Sequence, residues 1–338
     1  MKTLVTGGGG FVGRGLCLRL RADGHDVTAV GRRPIAGLAD VGVRTETLDL
    51  AAPQAVAGLA DLLAGVDCVF HTAAHVKMWG PRAAFERGNV AATSHVIAAC
   101  RTAGVGRLVF TSSPSVVATG HDLRGIDESQ PYPARFAALY PETKAAAERT
   151  VLAAHGRDLR TIALRPHLIF GPGDTNLVPT ILARARAGRL VQVGNGKNLV
   201  DLTFIDDCVA AHLLAAAALD TRPAAGGRAY FLSQGGPVPL WHWIGRVLEL
   251  HDLPPVRRRI PAAVAKGLAA AAETVWGACG LRSDPPLTRF LAEEMATDHF
   301  FDISAARRDL GYHPSCTVWE ATDRSFPRGD ARADRAGP

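Results

Sequence analysis

Lysine is nearly absent from this chain. Only Lys2, Lys77, Lys144, Lys197 and Lys266 occur, so almost all of the 38 basic residues are arginine. Apart from Arg257, Arg258 and Arg259 they are scattered, and the 6% of aromatic residues do not interleave with them. That argues against a nucleic-acid surface, which needs clustered cations and stacking rings. Cysteine is sparse too, and no two of Cys17, Cys68, Cys100, Cys208, Cys279 and Cys316 form a CxxC pair. Several sit in apolar periodic segments, where a thiol behaves as a small hydrophobe; the reading is a reducing cytoplasm. The twelve histidines show no HExxH spacing, so no metal is predicted. No apolar run follows the N-terminal MKTLVTGGGG as a signal peptide would require. The most membrane-like stretch, 261–280, carries Lys266 and Glu273 and falls short of about 20 uninterrupted apolar residues. It predicts a packed helix, with peripheral membrane contact as the other reading and no transmembrane segment. Internal repeats are missing as well.

What is present describes a globular chain. Its 338 residues are 47% apolar and 21% charged, with a formal net charge of +6. At roughly 100–200 residues per domain this allows one large domain or two joined ones. Short β-branched runs at 2–6, 26–31, 44–48, 67–71, 107–112 and 161–165 alternate with helical patterns at 11–22, 53–63, 83–103 and 141–155. That alternation predicts an α/β fold with a doubly wound parallel sheet, and the near-continuous apolar runs fit strands covered on both faces. The expected organisation is a dinucleotide-binding Rossmann domain over 1–165 and a smaller α+β substrate lobe over 166–325. Some segments of the lobe return to the first sheet, and a polar tail over 326–338 is expected to be disordered. In the lobe, helices are expected at 178–187, 206–218 and 240–251, with strands near 199–204 and 228–232.

The first strand runs into TGGGGFVG, Thr6–Gly13, and a helix pattern starts at once. The spacing demands glycine for a tight turn, for close approach of backbone to a pyrophosphate, and for helix–strand packing. The helix N-terminus then offers free N–H groups to the anion. Thr6, Gly7, Gly10, Phe11, Val12 and Gly13 are therefore candidate cofactor contacts. At the end of the second strand, where an NAD enzyme usually carries an acid for the ribose 2′-hydroxyl, the chain has Gly31, Arg32 and Arg33. No carboxylate repels a 2′-phosphate there and two guanidiniums can bind one, so NADP(H) is preferred over NAD(H). Asp49 and Leu50 follow the third strand; Asp49 either caps a turn or reaches the adenine.

Tyr140 and Lys144 form YPETK. At i and i+4 they share a helix face. An ammonium near the phenol favours the phenolate and makes Tyr140 a usable acid or base. Ser113, in TSSPS at the end of the fifth run, is the candidate donor to a substrate carbonyl, with Ser112 and Ser115 as the nearby alternatives.

These residues together resemble the extended short-chain dehydrogenase/reductase family. The likeness is carried by TGGGGFVG, HTAAHV at 71–76, Ser113, Tyr140 with Lys144, RPHLIFGPGD at 165–174 and FIDD at 204–207, and covers the chain to about Pro314. It implies a bilobal NAD(P)-dependent oxidoreductase. Thr72, Ala73 and Ala74 would line the cofactor, Pro166 and Leu168 would sit near its nicotinamide, and Lys144 would also touch it. Within the family the chain looks like the 3β-hydroxysteroid dehydrogenase branch, nearest to reductases of 2-alkyl-3-oxo fatty acids in bacterial olefin biosynthesis. The implied partner is an apolar small molecule. Steroid dehydrogenases, nucleotide-sugar epimerases or dehydratases, and non-enzymatic NADP sensors are the competing readings. An epimerase would need a basic clamp such as Arg184, Arg186 and Arg189. The expected substrate wall draws on Leu177, Val178, Ile181, Leu240, Trp241, Trp243, Val275, Trp276, Leu287 and Phe290, no more than half of them facing the cleft. Arg184 and Arg186 are candidates for a substrate carboxylate, a solvated helix face being the plainer reading. A homodimer and an assembly with pathway enzymes are both compatible with the sequence.

Overall fold

The computed structural model describes residues 1–281 and 283–327; the expected disordered tail lies outside the described residues from 328 onward. Its centre is a seven-stranded, all-parallel sheet. The strands are β1 (Lys2–Thr6), β2 (Asp26–Gly31), β3 (Arg44–Thr47), β4 (Cys68–His71), β5 (Arg107–Thr111), β6 (Arg160–Pro166) and β7 (Ala229–Leu232). Their order across the sheet is β7-β6-β5-β4-β1-β2-β3. The order reverses between β1 and β4, and in open parallel sheets that reversal opens a crevice at the carboxyl ends of the strands.

The two-residue period of each strand splits the core in two. Val5, Ala29, Phe70, Val109 and Ile162 point to one side, where they meet Leu16 and Leu20 of α1 (Phe11–Ala22) and Val209 and Ala215 of a later helix, Ile205–Thr221. Leu4, Val30, Val69, Leu108 and Ala163 point to the other. There they meet Leu59 of α2 (Ala55–Leu62), Val96 and Ile97 of α3 (Ala92–Ala103), and Ala147 and Val151 of α4 (Leu139–Ala153). Strands covered on both faces need continuous apolar sequence, as these have.

The remaining helices are α5 (Leu177–Arg186), α6 (Ile205–Thr221), α7 (Leu240–Leu250) and α8 (Ala262–Ala278), with a short one at Arg289–Glu294 and a last one at Val318–Ser325. A small four-stranded sheet joins Val238–Pro239, Leu199–Val200, His299–Phe301 and Leu123–Ile126. Leu123–Ile126 thus pairs with a strand made far later in the chain, while β7 returns to the central sheet beside β6.

The single helix expected over 83–103 is broken. Arg82–Phe85 is α-helical, Glu86–Ala91 forms a π-helical turn, and α3 follows. Asn89 accounts for the extra residue in the turn: its Oδ1 accepts from the His75 N–H at 2.7 Å and its Nδ2 donates to Thr143 Oγ1 at 2.9 Å. Such insertions cluster at functional sites.

Candidate active site

A cleft of about 860 Å³ opens over the carboxyl ends of β1, β2, β4, β5 and β6. Gly7, Gly10 and Gly13 form its floor at the amino end of α1. Gly7 has φ +71°, and a Cβ there would lie 2.7 Å from Ala73 N; one on Gly13 would lie 2.2 Å from Gly7 O. A side chain at either position would collide with backbone, and the Gly7 and Gly10 N–H groups are spent inside the turn, on Val30 O and Gly7 O at 2.8 Å each, so the N–H groups left for a ligand are those of the first turn of α1. Gly10, the N-cap of α1, supplies no side-chain cap either. A turn of this kind has room for an anion such as a pyrophosphate.

Most of the predicted cofactor contacts line this cleft: Phe11, Val12, Arg32, Asp49, Leu50, Thr72, Ala73, Ala74, Lys144, Pro166 and Leu168 join the three glycines. Two do not. Thr6 is fully buried behind the loop, its hydroxyl 2.7 Å from His71 Nδ1, because its side chain alternates into the sheet. Arg33 is exposed and lies outside the lining, so Arg32 alone of the pair reaches the cleft. Asp49 accepts from the Ala51 N–H at 3.1 Å and pairs with Arg87 at 3.1 Å, capping its turn while lining the cleft.

Ser113, Tyr140 and Lys144 converge at the inner end. Ser112 also lines the cleft and Ser115 does not. Ser113 opens a short 3₁₀ turn, accepting from the Ser115 N–H at 3.2 Å, and its hydroxyl faces the Tyr140 phenol. Burial pushes the Tyr140 phenol above its ordinary range, and that Ser113 contact opposes the push. Burial also draws Lys144 down to about 7, against the pull of the Glu148 carboxylate. The Lys144 ammonium donates to Thr111 O at 2.6 Å and sits 4.1 Å from the centre of the Phe110 ring. Burial is the leading influence on the phenol, so in the free cleft Tyr140 stands protonated, as a proton donor.

Glu148, one turn beyond Lys144, anchors α4 to β6. Burial alone would raise its pKa, but the Arg165 guanidinium overrides this and holds it below the ordinary range. The two meet at 2.6 Å, both almost fully buried, and Tyr132 donates to the same carboxylate at 2.6 Å. Removing one member of such a pair strands a buried charge.

After β6 the chain turns sharply. Leu168 has φ +40°, the left-handed region that a branched side chain avoids. Thr203 holds it there: its hydroxyl donates to His167 O at 2.8 Å and accepts from the His167 N–H at 3.1 Å. Asp174 then accepts from the N–H groups of Asn176, Leu177 and Val178 at the start of α5. Backbone strain retained beside a cleft is a common mark of a functional site.

The expected substrate wall stays within its bound of half but contributes little. Of the ten apolar candidates only Leu177 lines the cleft. Val178, Ile181, Leu240, Trp241, Trp243 and Phe290 are buried away from it, and Val275 faces outward. The apolar lining comes instead from Val76, Met78, Ala83, Ala84, Leu168 and Ile169, mostly on the dinucleotide side. Arg184 and Arg186 also lie off the cleft, Arg184 donating to Pro286 O at 3.2 Å. Met78 and Ala84 gave no sequence signal, whereas Val76 stands within the HTAAHV segment.

Among the described residues, His167, Glu294 and His299 form one cluster able to ligate a metal. His167 Nε2 and His299 Nδ1 are 2.6 Å apart, a direct hydrogen bond. Two nitrogens on one tetrahedral zinc stand about 3.3 Å apart. His299 Nε2 donates to Glu294 O at 2.7 Å, so Nδ1 is the acceptor and His167 the donor. Burial and the neighbouring ring keep His167 neutral. The cluster is a closed hydrogen-bond chain.

The glycine floor, the Ser–Tyr–Lys convergence and the sheet order point to one family, and residues 4–259 match the model of the 3-beta hydroxysteroid dehydrogenase/isomerase family. The chain belongs to that family. The 2-alkyl-3-oxoalkanoate reductase of Stenotrophomonas maltophilia is 46% identical over 326 residues, 96% of this chain and 98% of the relative. The decarboxylating sterol-4-alpha-carboxylate 3-dehydrogenase of Bos taurus is 34% identical, over 96% of this chain and 91% of the relative. Among solved structures, MoeE5 in complex with UDP-glucose and NAD superposes with a TM-score of 0.75 at 27% identity, covering 96% of this chain and 97% of MoeE5. The protein is an NAD(P)-dependent oxidoreductase acting on a CH–OH/C=O group.

Proposed function

We propose that the protein is an NADPH-dependent reductase of the 3-keto group of a lipid-like 2-alkyl-3-oxoalkanoic acid, giving the 2-alkyl-3-hydroxy acid. The observation that carries this reading is that Ser113 and Tyr140 share one cleft with the apolar side chains of Val76, Met78, Leu168, Ile169 and Leu177. The name of the 46% identical relative supports the same substrate class.

The residues divide the work. Gly7, Gly10 and Gly13 would hold the pyrophosphate, and Arg32, beside an acid-free strand end, would hold a 2′-phosphate. When bound, the reduced nicotinamide supplies the hydride. Ser113 donates to the substrate carbonyl oxygen and fixes it against Tyr140. Tyr140, held protonated by burial, gives its phenolic proton to that oxygen as charge develops there. Lys144, held by Thr111 O, aligns with the cofactor ribose and steadies the phenolate left behind. The apolar wall takes the alkyl chains, each buried CH₂ contributing about 0.8 kcal/mol.

The test is kcat/KM for NADPH oxidation with a long-chain 2-alkyl-3-oxo acid and with a 3-ketosteroid, repeated with NADH and with Arg32→Ala. The expected result is preference for the oxo acid and for NADPH, with roughly ten- to a hundredfold of the cofactor preference lost in the variant. The 34% identity to a sterol dehydrogenase supports a second reading, oxidation at a sterol 3-hydroxyl. A clear preference for the steroid would put that reading first.

A further inference from the structure

Helix α8 turns its apolar side away from the protein. Its two charged residues are both tied back: Lys266 pairs with Glu293 at 3.4 Å and Glu273 with Arg289 at 2.6 Å. Val264, Leu268 and Val275 are each about half exposed. Spacings of four and seven place them on one stripe. The one hydroxyl beside them, Thr274, is satisfied by Ala270 O at 2.8 Å. A helix packed on a soluble protein normally shows the reverse pattern. Just before it, Arg257, Arg258 and Arg259 are all exposed.

The stripe leads to the cleft. Exposed Leu281 follows α8, and its carbonyl accepts from Trp79 Nε1 at 3.3 Å. Trp79 belongs to the loop that carries Val76, which is exposed and also lines the cleft. Lys77 and Asp284 meet across the same gap at 3.7 Å. Val76 and Leu281 thus join the three residues of the stripe, and together they are the majority of the large exposed hydrophobics among the described residues.

We propose that α8 docks the protein on an anionic lipid surface. The stripe enters the interface, the arginines take the headgroups, and the cleft mouth faces the bilayer. The helix has 17 residues, about 25 Å, and no helix among the described residues is long and apolar enough to cross a membrane. It lies in the surface plane instead. The stripe offers only aliphatic side chains, without the aromatic anchors that centre protein–protein interfaces. The arginine triplet matches anionic headgroups in sign. The docking goes beyond the proposed reaction and does not depend on it.

The test is flotation of the full chain with vesicles of phosphatidylcholine, or of phosphatidylcholine with phosphatidylglycerol, without substrate. Binding to the anionic vesicles is expected, weakened about fivefold for each of Arg257, Arg258 and Arg259 changed to serine. Leu268→Asp with Val275→Asp should abolish it while the NADPH Kd stays unchanged, which shows the variant folded. No flotation of the wild type, or flotation indifferent to these changes, overturns the proposal. So does a wild-type dimer, seen by sedimentation, that the double variant dissociates without any vesicle binding. Flotation uses no turnover, so it can fail while the reductase reading stands, and it can succeed with an enzyme that ignores the oxo acid.

Discussion

Tyr140 and Lys144 sit one turn apart on α4, yet burial treats them in opposite ways. It keeps a proton on the phenol and loosens one on the ammonium. The phenol therefore serves as the donor in reduction, and the lysine, held by Thr111 O, positions and binds. Two substitutions separate these roles. Tyr140→Phe removes only the transferable proton, so kcat should fall roughly a hundred- to ten-thousandfold with the NADPH Kd nearly unchanged. Lys144→Met should raise that Kd and lower kcat together. Stopped-flow single turnover with fluorescence titration of NADPH measures both. A Tyr140→Phe enzyme that turns over normally would assign the proton to another group. The YPETK pattern showed which residues would meet. It could not show the direction of the phenol's shift, because that depends on how much water the folded cleft leaves around it.

The elements that shape the cleft differ in how plainly the sequence announces them. β1, β2, β4, β5 and β6 are apolar runs buried on both faces, and their positions follow from composition, whereas β3, RTET at the sheet edge, has no fully buried residue. The π-helical turn Glu86–Ala91 has no local signature, since Asn89 finds its partners in a loop 14 residues earlier and a helix 54 residues later. The apolar wall was misplaced for a related reason. A tryptophan in a groove and one in a core read alike, and Trp243 is fully buried with its ring against Phe170. Asn89→Ala tests the turn. It leaves the His75 N–H without a partner, a loss of about 1–3 kcal/mol, while the Thr143 hydroxyl keeps Leu139 O, and it frees the turn that sets Arg87 and Gly88 on the cleft wall. A lower denaturant midpoint with a raised KM is expected. An unchanged KM would mean that the turn supports the fold without shaping the cleft.

The assembled protein should tolerate acid poorly. Burial holds His71 at about 3 and His212 at about 4, with His167 well below the ordinary value. Unfolded, each titrates near 6.5. Below that pH the unfolded chain takes up protons that the folded chain refuses, so stability drops as pH falls from about 6.5 toward 4. Asp201 works the other way: burial raises it to about 6, so the folded state keeps a proton there that the unfolded state has released. Glu128 and Asp174, also raised by burial, act with Asp201, and His75, lowered by burial, acts with the other histidines; the three deeply buried rings set the direction, a loss of stability toward acid. Urea midpoints between about pH 7 and pH 5 measure it, and a flat or rising profile would contradict the neutral burial of these rings. The doubly wound architecture could be foreseen from the alternation of runs. The small sheet could not, because its strands are two to four residues long and come from four distant places.

That small sheet sets a timetable for synthesis. Leu123–Ile126 emerges from the ribosome early, but its partner strand His299–Phe301 is about 170 residues further on, roughly 10–35 s of translation at 5–20 residues per second. Through that interval β1 to β5 can assemble while Leu123–Ile126 presents an unpaired edge. β7, which closes the central sheet beside β6, arrives only near residue 230. The nascent dinucleotide half is therefore a half-finished sheet with open edges, and its vulnerability to aggregation ends only when nearly the whole chain has been made.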